Sequence, residues 1–151
     1  MTDIVLEQRI KASPSTVYRY LTESDKWTKW QGESVTLDAR TGGIFSLIMG
    51  NGMNARGQFT ELVPDERVAF TWGWVDRPGI PPGSTTVTIE LIAEDEGTRL
   101  VLTHANLPED EVLEHRAGWE RHLPQLAEAS EASKPEAPSI DGASRGGEGG
   151  I

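Results

Sequence analysis

The chain has 151 residues, of which 36% are hydrophobic, and a formal net charge of −10. That length suits one domain with a sizeable core, and the acidity, with no cluster of Lys and Arg, excludes a phosphate-backbone reader and a binder of anionic membrane surfaces. The absence of cysteine excludes a disulfide framework, a thiol nucleophile and a thiolate metal site.

The N-terminal stretch MTDIVLEQRI lacks the basic-then-apolar layout of a signal peptide, and no apolar run approaches the roughly 20 residues that cross a bilayer. The expectation is a soluble, cytoplasmic protein without membrane insertion. Within that stretch Ile4, Leu6 and Ile10 alternate with Asp3, Glu7, Arg9 and Lys11, which reads as a half-buried strand. Ser13-Pro14 then starts a helix, the hydroxyl capping free amides and the proline taking the first helical position. Val17 and Leu21 give that helix one apolar stripe, and a second helical turn is expected to end near Trp30.

From Ser34 the pattern is nearly all strand. Ser34 to Asp38 is short, Thr41-Gly42-Gly43 turns the chain into IFSLIMG, and Gly50-Asn51-Gly52 makes a tight hairpin into MNARGQFTELV. Pro64-Asp65-Glu66 leads into RVAFTWGWV. The stiff loop Asp76 to Gly83, placed at the end of the Trp72–Trp74 strand where it could also form one lip of a pocket mouth, precedes STTVTIELIA, and Asp95-Glu96-Gly97 turns into TRLVLTHANL. Strands joined by short turns make an antiparallel meander.

A last helix follows Pro108, with Glu109, Asp110 and Glu111 suited to its N-terminus and Val112, Trp119, Leu123 and Leu126 in one sector. Gly118 costs it about 1 kcal/mol and Pro124 about 3, so a kink is expected at Pro124. From about Ser130 large apolar residues nearly vanish, which gives a domain at 1–129 and a low-complexity, disordered tail at 130–151.

Phe70, Trp72 and Trp74 occupy every second position of AFTWGW and share one face of a strand. Val87, Ile89 and Leu91 on the next strand share that face, as do Leu100, Leu102 and His104 on the last. These rings either fill a core or wall a cavity, and cavity lining is the expectation.

The order of elements, with the pieces IKASPSTVYRYLTESDKWTKW (10–30), GG (42–43), VPDERVAFTW (63–72), GTRLVLTHANLP (97–108) and GWERHLPQL (118–126), resembles the START-like helix-grip superfamily (SRPBCC). Within it the chain is similar to the branch named after the activator of the Hsp90 chaperone ATPase (AHSA-type). The likeness covers residues 3–128 and leaves out the tail. It implies an α+β fold: a curved antiparallel sheet of six to seven strands around a long C-terminal helix, with one or two short helices after the first strand. Nothing in the chain corresponds to the separate N-terminal domain of the eukaryotic activator.

The resemblance also implies a deep apolar cavity between sheet and helix. The expected lining is Phe45, Phe59, Phe70, Trp72, Trp74, Ile89, Leu102, His104, Trp119 and Leu123, and the expected partner is a small apolar ligand such as a lipid, with no cofactor. Two rival readings stand beside it. One is a polyketide cyclase or aromatase that uses His104 as its acid or base; the other is an interaction module for a chaperone or a homodimer.

His104 itself is expected to be structural, bonded to a neighbouring strand or to the loop near Asn106, rather than catalytic. His115 and His122 stack about 10 Å apart on one shoulder of the last helix, which reads as a solvated shoulder and not a metal site. Parity groups Glu61 with Ala55, Gly57 and Phe59, which would put it at a cavity rim or beside Arg99 or Arg116, but an ordinary surface ion pair is the expectation. Trp27 and Trp30 either line another lip of the cavity or wedge the short helices against the sheet.

Overall fold

The computed structural model describes residues 3–133. Strand β1 (Ile4–Ile10) is followed by helices α1 (Pro14–Tyr20) and α2 (Ser24–Trp27). Six strands come next: β2 (Ser34–Leu37), β3 (Ile44–Ile48), β4 (Asn54–Val63), β5 (Arg67–Trp72), β6 (Thr85–Glu94) and β7 (Gly97–Ala105). A single 3-10 turn (Glu109–Glu111) opens helix α3 (Val112–Ala132). All seven strands form one antiparallel sheet in the order β1-β7-β6-β5-β4-β3-β2. The meander is thus continuous from β2 to β7, and β1 closes beside β7. This is the expected helix-grip arrangement.

Local chemistry explains the element ends. The Ser13 side chain accepts from the Thr16 amide at 3.2 Å, and Pro14 occupies the first turn of α1. In the β3–β4 hairpin Gly52 adopts a φ of +88°, a conformation that costs glycine nothing. Helix α3 continues through Pro124 as one element to Ala132, and Ser130 is fully buried near its end. The helix therefore extends past residue 129, and the tail expected beyond it lies, from residue 134 onward, outside the described residues.

Helix α3 crosses the inner face of the sheet obliquely. Its first turns meet the chain after β5, its middle meets β7, and near its end the Glu131 carboxylate accepts from the Lys11 amide, just past β1, at 2.8 Å. Val68, Phe70 and Trp72 on β5, Val87, Ile89 and Leu91 on β6, and Leu100, Leu102 and His104 on β7 share the inner face of the sheet and are buried, with α1 covering part of β6 and β7 and α3 the rest. On α3 the matching stripe is Trp119, Leu123 and Leu126.

A register shift between Phe59 and Glu61 breaks the alternation of β4. Such a bulge sends the residues beyond it to the other face. Glu61 accordingly lies outside, where its carboxylate takes an Arg67 N–H at 2.8 Å. Arg99 pairs instead with Glu94 and Glu7, and Arg116 with Glu120. The ordinary surface ion pair is thus what Glu61 makes, and the inward placement that parity alone gives is corrected.

Candidate functional site

The centre of the sheet–helix space is occupied by protein rings. Phe45 and Phe70 stack at 4.3 Å between centroids, Phe59 meets both edge-on, and Trp27 adds contacts at 5.3 Å to Phe45 and 5.9 Å to Phe70. Phe45, Phe59, Phe70 and Trp27 are all fully buried, as are Ile89 and Leu102, and Leu123 nearly so. Trp27 donates its indole N–H to Gln31 Oε1 and Trp30 donates to the Tyr20 carbonyl, both at 3.1 Å. The two tryptophans therefore wedge the short helices onto the core.

Open space begins where this packing ends, at the β5 end of the sheet. A half-open pocket of about 150 Å³ lies between Trp72, Trp74 and Trp119 on one side and Met49, Asn51 and Met53 of the β3–β4 hairpin on another. Gln31, Arg77, Glu114, His115, Gly118, Arg121 and His122 complete the wall. Of the cavity residues expected from sequence, Trp72, Trp74 and Trp119 line this space. Phe45, Phe59, Phe70, Ile89, Leu102, His104 and Leu123 pack away from it.

Trp74 stands just past the end of β5, where it bridges to Ala55 of β4. The loop after it folds back tightly. The Trp74 amide donates to the Ile80 carbonyl at 2.7 Å, and a Cβ on Gly73 would collide with the Pro81 carbonyl, so only glycine fits there. This loop carries Arg77 to the pocket, its guanidinium 5.9 Å from the Trp74 ring centre. Arg77 also holds Glu114 at 2.7 Å and Glu111 at 3.3 Å. The Glu114 carboxyl is consequently held below the usual carboxylate range, first by the hydrogen bond from Arg77.

Two indole–imidazole bonds join the helix to the sheet. Trp119 Nε1 donates to His104 Nδ1, and Trp74 Nε1 donates to His115 Nε2, each at 3.0 Å. Thr85 gives its one hydroxyl hydrogen to the Trp72 carbonyl at 2.7 Å, so the 2.9 Å contact between Thr85 Oγ1 and His104 Nε2 must use an imidazole N–H. His104 is therefore the neutral Nε2–H tautomer with both nitrogens spent. His115 is the opposite tautomer, donating Nδ1–H to the Glu111 carbonyl at 2.8 Å. Burial, and then the neighbouring His115, pushes the His104 imidazole down to about 3. Burial likewise lowers His115 against the opposing hydrogen bond to Glu111.

These bonds give His104 a structural place between β6 and α3, with no nitrogen left for a substrate. They also correct the solvated-shoulder reading of His115, which is only 6% exposed. Helical spacing does put His115 on the flank of α3, but Trp74 comes over from the sheet to cover it. Among the described residues no group of His, Asp and Glu is placed to hold a metal ion, and no helix is long and apolar enough to cross a membrane.

Met49, Met53, Gln31, Arg77 and Arg121 are pocket residues that the sequence did not single out. The signal for the methionines was present in the Gly50-Asn51-Gly52 turn, which sets them side by side across a two-stranded hairpin. The 76–83 loop was expected at a pocket lip, but nothing marked Arg77 within it. Arg77 reaches the pocket only because the 76–83 loop doubles back over Gly73.

Comparison with known proteins places these features in context. The model of the family described as "Activator of Hsp90 ATPase homolog 1-like protein" matches residues 11–131. The human protein named "Activator of 90 kDa heat shock protein ATPase homolog 1" is 29% identical over 119 residues, which is 79% of this chain and 34% of that one. The chain thus spans about a third of the length of that curated relative. Among solved structures, the Aha1 dimer from Colwellia psychrerythraea superimposes with a TM-score of 0.77 at 24% identity, covering 89% of this chain and all (100%) of that one. CalU16 from Micromonospora echinospora gives 0.72 at 29% identity, covering 85% and 75% respectively.

Proposed function

Because the chain belongs to the Activator of Hsp90 ATPase homolog 1-like family, whose name fixes no small-molecule role, we propose from its geometry that it is a binding protein for a small ring compound. The observation that carries this reading is the pocket of about 150 Å³ walled by Trp72, Trp74 and Trp119, where α3 presents Gly118 in place of a side chain. An apolar cavity of about this volume holds a single benzene ring. The enclosed part of the pocket therefore suits one ring, with its substituents toward the open, polar side. A fatty acid or a folded polyketide chain is too large, since the space that would take it is filled by Phe45, Phe59 and Phe70.

The three indoles supply apolar surface and ring edges for stacking, worth roughly 25 cal/mol per Å² buried before ordering costs. Acid–base catalysis is disfavoured, because the expected proton carrier, His104, is fully buried with both nitrogens bonded. Isothermal titration calorimetry with benzyl alcohol tests the reading. Saturable binding to the wild type, abolished in Gly118→Met with the fold retained by circular dichroism, supports it. Equal binding to both proteins, or none to either, refutes it.

A second reading is docking on a chaperone or on a second copy of the chain. What favours it is the naming of the human relative for ATPase activation and of the Colwellia structure as a dimer. Adding the purified chain to an Hsp90-type ATPase, and measuring its mass by light scattering, tests both forms of that reading.

A further inference from the structure

We infer that the ring compound taken by this pocket is an aromatic acid, its carboxylate facing the donors of the wall. The inference rests on the small-ring reading above and adds the polarity of the ligand. The first observation is Trp72: it lines the pocket, is 2% exposed, and its Nε1–H makes no hydrogen bond. A buried donor left unsatisfied costs about 1–3 kcal/mol, so a ligand that offers it an acceptor recovers that cost.

Most other free valences at the wall are also donors. Gln31 spends its Oε1 on the Trp27 indole, which leaves its NH2 end unbonded. Asn51 spends its Oδ1 on the Met53 amide and likewise keeps its NH2. Arg121 stands at the rim with no carboxylate partner among the described residues. Of the acceptors on the wall, Glu114 is held by Arg77 and both nitrogens of His115 are bonded, while the Glu111 carboxylate beside them lies 3.3 Å from the Arg77 guanidinium. Nε2 of His122 is the exception: Nδ1–H faces Gln125 Oε1 at 3.4 Å, which leaves Nε2 as a free acceptor in the neutral ring. A wall on which Trp72, Gln31, Asn51 and Arg121 offer unspent N–H donors against the single free acceptor of His122 selects a ligand bearing acceptors and negative charge. That selection is local, since the whole chain carries a net charge of −10 and repels free anions.

The test compares benzoate with benzyl alcohol, which keeps the ring and replaces the charged group. Titrations run at low ionic strength, on the full chain and on Arg121→Gln. Benzoate is expected to bind at least about tenfold more tightly than benzyl alcohol, and Arg121→Gln to bring that ratio near one, as a charge-assisted contact predicts. Equal affinities in the wild type overturn the acid while leaving the small-ring pocket standing. A preference for benzoate that survives Arg121→Gln undiminished and is absent from titrations of Trp72→Phe assigns the charge selection to the indole and overturns the role of Arg121. Binding of neither compound overturns both readings.

Discussion

The indole N–H of Trp119 donates to Nδ1 of His104 across 3.0 Å, bonding the middle of α3 to β7. This one bond settles the tautomer of His104 together with Thr85, removes the imidazole from acid–base work, and fixes where the helix lies over the sheet. It also positions the Trp119 ring, which faces Trp72 at 5.4 Å, as one wall of the pocket.

Trp119→Phe keeps a ring in place and deletes the donor. The buried Nδ1 of His104 then has no partner, and the fold is expected to lose about 1–3 kcal/mol. Urea unfolding of the variant against the wild type measures this. A loss below about 0.5 kcal/mol, the level of an ordinary surface change, is incompatible with the bond as described.

The same bonding makes stability depend on pH in a defined direction. His104 is held neutral down to about 3, against an ordinary value of 6.5. Below about pH 6.5 the unfolded chain takes up a proton that the folded chain refuses, so the contribution is complete above that pH and is lost as pH falls toward 3. The slope from this group is at most about 1.4 kcal/mol per pH unit, and His115, lowered for the same reason, adds to it. Urea midpoints at about pH 7.5 and about pH 4.5 check the claim. His104→Asn is expected to be less stable at the higher pH yet to fall less steeply; an unchanged slope contradicts it.

Gly118 sits where a Cβ would meet nothing within 4 Å, although a helix interior penalises glycine by about 1 kcal/mol relative to alanine. Gly118→Ala is therefore expected to raise stability by about that amount while narrowing the pocket. Calorimetric melting shows the first effect and ligand titration the second. A destabilised Gly118→Ala variant means the space beside α3 is not free.

Gly73 presents the opposite case. A Cβ there collides with the Pro81 carbonyl and the Pro82 backbone, which cannot yield without moving the loop that carries Arg77. Gly73→Ala is expected to cost more than about 2 kcal/mol and to free Glu114 from Arg77. Chemical denaturation read alongside the Glu114 carboxyl titration, which should return toward its ordinary value, detects both consequences.

Period-two patterning was enough to read the strands, the shared face of Phe70 and Trp72, and the inward turn of His104. Buried residues repeat along a strand whatever lies above them. The same rule failed at Glu61, because one extra residue in β4 reverses the faces beyond Phe59, and no residue type in that stretch announces it. It failed differently at His115. The helix pattern gave its side correctly, but its cover comes from Trp74, 41 positions away in the chain.

The pocket was the least legible feature. A row of aromatic rings says nothing about whether they fill their own space. Phe45 and Phe70 do so by stacking on each other, whereas Trp72 touches that stack from its outer end, at 5.9 Å from Phe45 and 6.4 Å from Phe70, and carries Trp74 beyond it. Which rings face a void depends on where the β3–β4 hairpin and the 76–83 loop come to rest, and both are positioned by tertiary contacts.

The most direct measurement is the nitrogen–proton spectrum of the five tryptophan indoles, with the Trp72 signal assigned from Trp72→Phe, during titration with benzoate. Because Trp72 Nε1–H alone among the buried indoles is left without a hydrogen bond, its signal should move saturably to the shift of a bonded N–H. The signals of Trp27 and Trp30, bonded inside the core, should stay in place. A Trp72 signal that does not move, or that moves no more than those of Trp27 and Trp30, would contradict a ligand-binding pocket at this end of the sheet.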